Sequence, residues 1–215
     1  GLTVAVGGVL PFGLADLAEV AGAVDVPTPL THVGVRVGRS GGDLSHYCTF
    51  GGWVARRWGR VSAGVAYYGV TRSLAYAERG VSSFSVTGVA VRPTDAWLLS
   101  LTVKNVEGRS LRCAGREEGI PTTLWVAATW RAPLYFTLCA ELEKESGRKA
   151  VAHIGVSLRP CERLCFTAGF SSLGRQICAG AGYDWGAMGV HASVAHHFAL
   201  GVTSAALLTF HPKWL

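Results

Sequence analysis

The segment HIGVSLRPCERLCFTAGFS, residues 153–171, alternates apolar and non-apolar residues on both sides of a break at its centre. Ile154, Val156 and Leu158, then Leu164, Phe166, Ala168 and Phe170, share one face. His153, Gly155, Ser157 and Arg159, then Cys165, Thr167, Gly169 and Ser171, share the other. A period of two is the signature of a strand, and two such runs around a tight turn predict a β-hairpin. Such a pattern constrains the fold strongly, because every apolar face must meet either a protein core or lipid.

Composition bears on that choice. Only 16% of the 215 residues are charged, although 49% are hydrophobic, against roughly 25% charged in an ordinary soluble domain. A soluble β-protein covers its outer faces with Lys, Glu and Asp. Here the non-apolar faces carry mostly Gly, Ala, Ser and Thr. A lipocalin-like soluble barrel would need eight strands and a strongly charged exterior, and the sequence offers neither. The apolar faces are therefore expected to point outward, into lipid. No apolar run of the length of a transmembrane helix occurs. GLTVAVGGVL lacks a basic leader, so a signal for export would already have been removed.

Further hairpins follow along the chain. Alternating or apolar runs at 31–38, 44–58, 61–73, 84–92, 97–106, 122–131, 134–145, 176–186, 188–198 and 200–210 flank the opening hairpin, with a long loop at 107–121. About twelve strands (ten to fourteen) of some nine to twelve residues match the length of tilted transmembrane strands. Tight turns such as RPTD alternate with longer polar ones such as RSGGD. The reading is an all-β, antiparallel transmembrane barrel over 31–212. Residues 1–30 are expected to form a short non-barrel segment, as plug, cap or irregular first strand. The spacing of Leu14, Leu17, Ala21 and Val24 predicts a short helix there. Trp53, Trp58, Trp97, Trp130, Trp185, Phe198 and Phe210 lie near strand ends, as interfacial aromatic girdles do.

Several function classes are disfavoured. The net charge of +6 comes from scattered arginines, so nucleic-acid binding is not expected. Cys48, Cys113, Cys139, Cys161, Cys165 and Cys178 contain no CxxC pair, and neither a metal nor a cofactor is expected. Ser193, His191 and Asp184 could be imagined as a hydrolytic triad, but no nucleophile elbow accompanies them, and no enzyme is expected. Candidate inward, lumen-lining or ligand-contacting residues are Lys104, Trp125, Arg131, Tyr135, Glu141, His153, Arg159, Asp184, His191 and His197, with Tyr67 or Tyr68 as further contributors.

The segment 100–131 resembles a known family. A strand ending in Lys104–Asn105, a variable loop, acidic residues and an Ile120–Pro121 opening the next strand are similar to the PorV/PorQ-type proteins of the FadL-like (fatty-acid-transporter-like) outer-membrane barrels. Gly155, Pro160, Ala168 and Gly169 fit that family's downstream hairpin, and Leu200–Gly201 and Thr203 fit its closing strands. The resemblance spans roughly residues 60–212. The family's N-terminal Asn-Pro-Ala signature is absent, and its members often have fourteen strands. It implies a bacterial outer-membrane location and two alternative roles. One is transport of a hydrophobic or small ligand through the lumen. The other is a non-enzymatic scaffold for secreted or surface proteins, as in type IX secretion, using the loops at 73–83 and 107–121.

Overall fold

The computed structural model describes residues 1–75, 79–132 and 135–212. Two strands open the chain, β1 (Thr3–Leu10) and β2 (Glu19–Pro27). The next five are β3 (Thr31–Gly41), β4 (Ser45–Trp58), β5 (Val61–Leu74), β6 (Gly80–Val91) and β7 (Trp97–Lys104). A small hairpin follows, β8 (Ser110–Cys113) and β9 (Arg116–Gly119). The remaining strands are β10 (Thr123–Ala132), β11 (Phe136–Glu145), β12 (Val151–Cys161), β13 (Leu164–Ser171), β14 (Gln176–Asp184), β15 (Met188–His197) and β16 (Gly201–Phe210). All but β8 and β9 form one closed antiparallel barrel of fourteen strands, in which each strand pairs with its neighbour in sequence and β1 pairs with β16.

The count stands at the top of the expected range rather than at twelve, and the difference lies at the front. Residues 1–30 supply two barrel strands, not a separate segment: β1 pairs with β16 from Val4↔Phe210 to Leu10↔Ser204, and with β2 from Thr3↔Asp25 to Val9↔Glu19. The helix expected over 14–24 is replaced by short 3-10 turns at Pro11–Gly13 and Ala15–Leu17, followed directly by β2. Helical spacing in LADLAEVAGAV yields to EVAGAVDV, whose own alternation serves a sheet with a place for two more strands. Pro133, Leu134, the centre of the 73–83 loop and the last residues of HPKWL lie outside the described residues.

The register shows which way each face points. Val126 opposes Leu142 and Leu101, Ala140 opposes Ile154, and Val156 opposes Ala168. These residues make one apolar belt on the outside, where Ile154 is 58% exposed and Leu142 50%. Among the described residues only five apolar side chains are buried: Val70, Leu111, Cys113, Val151 and Cys165. A soluble chain of this length would bury about two thirds of its surface around a core. This chain instead turns its large apolar side chains outward, which is stable only against lipid. Closure leaves no sheet edge to strand backbone groups in the hydrocarbon.

The start of β1, the end of β16 and the shorter turns, such as 59–60 and 162–163, lie at one rim. Aromatics gather on the outer surface there: Trp97 and Trp130 face each other across strands at 6.3 Å, and Tyr183 meets Trp185 at 4.9 Å. This is the expected girdle, with two exceptions. Phe198 lies at the opposite rim, in the β15–β16 turn. Trp53 lies inside the barrel, because its position in β4 has the lumenal parity.

The outward assignment makes a direct prediction. Leu101→Arg, in the middle of β7, should destabilise the refolded barrel by about 2–4 kcal/mol in lipid vesicles. Thr102→Arg, on the lumenal face of the same strand, should cost much less; denaturant titration of both variants compares them.

Candidate functional site: the barrel lumen

Small residues on the inner faces determine how much room the barrel encloses. Ala5, Gly7, Ala21, Ala23, Gly38 and Ala205 line a lumenal cavity of ≈ 990 Å³, joined by Arg36, Trp53, Tyr68, His191 and Ser193. The larger rings lie flat on the wall. Trp53 covers its cross-strand partner Gly34, where a Cβ would fall 2.0 Å from the indole, and its Nε1 donates to Asp25 Oδ1 at 3.1 Å. His191 covers Gly182 in the same way, with a Cβ position 2.1 Å from Nδ1. Each glycine gives the ring a shallow seat, so an aromatic surface lines the lumen without filling it.

The 105–122 connection folds inward at the rim opposite the start of β1 and the end of β16. Strands β4 and β5 run 14 residues each and β6 12, beyond the stretch paired with β7. The hairpin covers the inner side of that extension. Leu111 and Cys113 pack on Val70, with Tyr47, Leu74, Phe84 and Ile120 around them. Ser82 Oγ donates to the Ser110 carbonyl at 2.6 Å, Arg72 pairs with Glu118, and the Tyr47 hydroxyl donates to the same carboxylate at 3.1 Å.

Asn105 anchors the base of this hairpin. It is fully buried and takes a positive φ of 52°, a left-handed conformation that asparagine tolerates better than most residues. Its Nδ2 donates to the carbonyls of Arg109 (3.1 Å) and Ile120 (2.5 Å), its Oδ1 accepts from the Arg109 amide (2.9 Å), and its carbonyl accepts from Thr122 Oγ1 (2.7 Å). The Lys-Asn and Ile-Pro ends of the sequence motif are thus tied together by one side chain.

The expected site residues scatter over the lumen. Glu141 and His153 are cross-strand partners on β11 and β12. Trp125 opposes Glu143, so an aromatic and acidic strip runs along this wall. Lys104 lies further toward the hairpin, its Nζ 4.9 Å from the Phe84 ring centroid. Arg131 and Arg159 are exposed toward the short-turn rim, and Asp184 ends β14. His191 lines the main cavity with Tyr68. His197 is occupied in the β15–β16 turn, where Nδ1 accepts from the amides of Ala199 (3.2 Å) and Leu200 (3.1 Å). Tyr135 sits in the β10–β11 turn with φ 64° and 67% exposure, off the lumen wall. Tyr67 points outward and bonds Ser83 Oγ at 2.6 Å.

Arg36, Glu143 and Asp25 were missed, although strand parity alone places them inside. Arg72 and Glu118 could not be found that way, because their meeting depends on the inward fold of the hairpin. Among the described residues no hydrogen bond links Ser193, His191 and Asp184. Cys48, Cys139, Cys161, Cys165 and Cys178 are not in disulfides.

No family model and no curated protein sequence matches the chain. Solved structures do. A CymD monoaromatic hydrocarbon channel superposes with a TM-score of 0.69 at 11% identity, over 99% of this chain and 89% of the channel. A Pseudomonas aeruginosa FadL homologue gives 0.66 at 9% identity, over 97% and 89%. The Acinetobacter baumannii outer membrane protein Omp33 gives 0.62 at 10%, over 98% and 97%. At these identities the likeness establishes the fold, that of bacterial outer-membrane β-barrels.

The hairpin carries its own pH dependence. A hydrogen bond from Ser110, and then the charge of Arg112, hold Glu117 below the usual glutamate range; contacts with Ser85 do the same for Glu107. A carboxylate with a depressed folded value contributes stability above its unfolded value and loses it as pH falls through the folded one. The carboxyl NMR shifts of Glu107 and Glu117 should therefore titrate below the ordinary glutamate value, with the Ser85 and Ser110 amide signals moving in step.

Proposed function

We propose that this chain is a bacterial outer-membrane channel that passes small, partly apolar ligands through its lumen and catalyses no reaction on them. The observation that carries this reading is the open cavity of ≈ 990 Å³. Barrels of eight strands fill their interiors with side chains, whereas wider ones leave space unless a plug occupies it. Here Ala and Gly line the wall, and Trp53 and His191 are seated flat against it. The lining combines apolar wall, aromatic faces and a few polar groups such as Arg36 and Ser193. That mixture suits a ligand with an apolar body and a polar end.

The fold likeness to hydrocarbon channels supports the same class of role. The finer likeness to PorV/PorQ-type proteins is carried by the sequence motifs alone. A scaffold for secreted proteins would use the long loops as its contact surface. The buried face of the 105–122 hairpin is instead committed to the barrel mouth, and only β9 is exposed along its whole length. This favours the channel.

Vesicle swelling tests the proposal. Proteoliposomes should admit small amphiphilic solutes faster than protein-free vesicles, and Ala21→Trp combined with Ala205→Trp should return the rate to the protein-free level while the barrel stays folded. Equal rates with and without the native protein would contradict the channel reading.

A further inference from the structure

We propose that Glu141, Glu143 and His153 form a binding site for a divalent transition-metal ion of the Zn²⁺ class on the lumen wall. This goes beyond the channel reading and does not depend on what passes through the barrel. Glu141 and Glu143 are two residues apart on β11, so both side chains face the lumen. The β11–β12 register sets His153 directly opposite Glu141. One donor atom from each residue lies within 4.8 Å of the other two.

Two further observations point to a cation. Among the described residues, neither carboxylate has an arginine or lysine within ion-pair distance; the only charged contact is His153 Nε2 to Glu143 Oε2 at 3.4 Å. Like charges held side by side on one strand face repel unless a positive charge lies between them. In addition, His153 Nε2 is shielded from solvent and makes no hydrogen bond beyond its 3.4 Å approach to Glu143 Oε2, so its ring nitrogen is turned into the acidic pair.

The donor set selects the ion. Calcium and magnesium prefer all-oxygen shells, whereas one imidazole with two carboxylates suits Zn²⁺ and its first-row neighbours. Ligand bonds of about 2.0–2.2 Å in a tetrahedral shell place donor atoms about 3.3–3.6 Å apart. The His153–Glu143 separation already fits, and the Glu141 donor lies within 4.8 Å of both. The side chains of His153 and Glu143 are 34% and 30% exposed, which leaves the remaining coordination position open to lumen water.

Zn²⁺ titration of the detergent-refolded barrel by calorimetry tests the site, with Co²⁺ absorption as a second readout. One equivalent should bind. His153→Ala and Glu143→Gln should each weaken binding by about tenfold or more, while His196→Ala, outside the lumen, should leave it unchanged. A heat-modifiability gel verifies that each variant is folded; if His153→Ala does not fold, the near-isosteric Glu143→Gln decides. Absence of saturable binding, or binding indifferent to both substitutions, would show that His153 and Glu143 form an ion pair only and would overturn the site. Because the readout is equilibrium binding, failure here is separable from failure of the channel in vesicle swelling.

Discussion

Backbone hydrogen bonding is the constraint on which the rest depends. Lipid offers no partner to an N–H or C=O group, so a sheet inside a bilayer must pair every strand on both sides. The β1–β16 pairing meets that requirement. It spans Val4↔Phe210 to Leu10↔Ser204 and joins the two ends of the chain into one ring. Without it, β1 and β16 would each present an open edge to hydrocarbon. With it, the outer faces are free to be wholly apolar and the inner faces to be small, polar or charged.

The interior follows from the same alternation. Each strand assigns every second residue to the lumen, and the sequence fills many of those places with Gly, Ala, Ser and Thr. Fourteen strands make a wide ring, and small lining residues keep it wide. Two of the rings that face inward are accommodated by glycines opposite them: Trp53 by Gly34, His191 by Gly182. The largest inward structure is the 105–122 hairpin, which builds the main cluster of buried side chains, around Leu111 and Cys113. It needs that cluster because it lies at the mouth, off the membrane belt. Asn105 secures it by four hydrogen bonds at a single residue.

Much of this was legible in the sequence, and the gaps have physical causes. The faces of β10 to β13 were readable because Leu124, Val126 and Ala128 alternate strictly with Thr123, Trp125 and Thr129. The first two strands were not, since Gly7, Gly8, Ala21 and Ala23 are too small to mark a face and Leu14 and Leu17 imitate a helix. His153 and Glu141 were recognised as inward, but their direct opposition depends on register, which the loop between β11 and β12 sets. His197 carries lumenal parity yet serves its own turn, something periodicity cannot reveal. Arg72 and Glu118 are 46 residues apart, joined only by the way the hairpin folds back.

Spin-label accessibility along β10 tests the central claim most directly. Single cysteines at positions 124 to 130, labelled in a cysteine-free barrel reconstituted in lipid, would be read against oxygen and against a water-soluble nickel chelate. The account predicts strict alternation: oxygen access dominates at 124, 126, 128 and 130, and chelate access at 125, 127 and 129. Chelate access at the even positions, or a profile without period two, would contradict a lipid-facing belt around an open lumen.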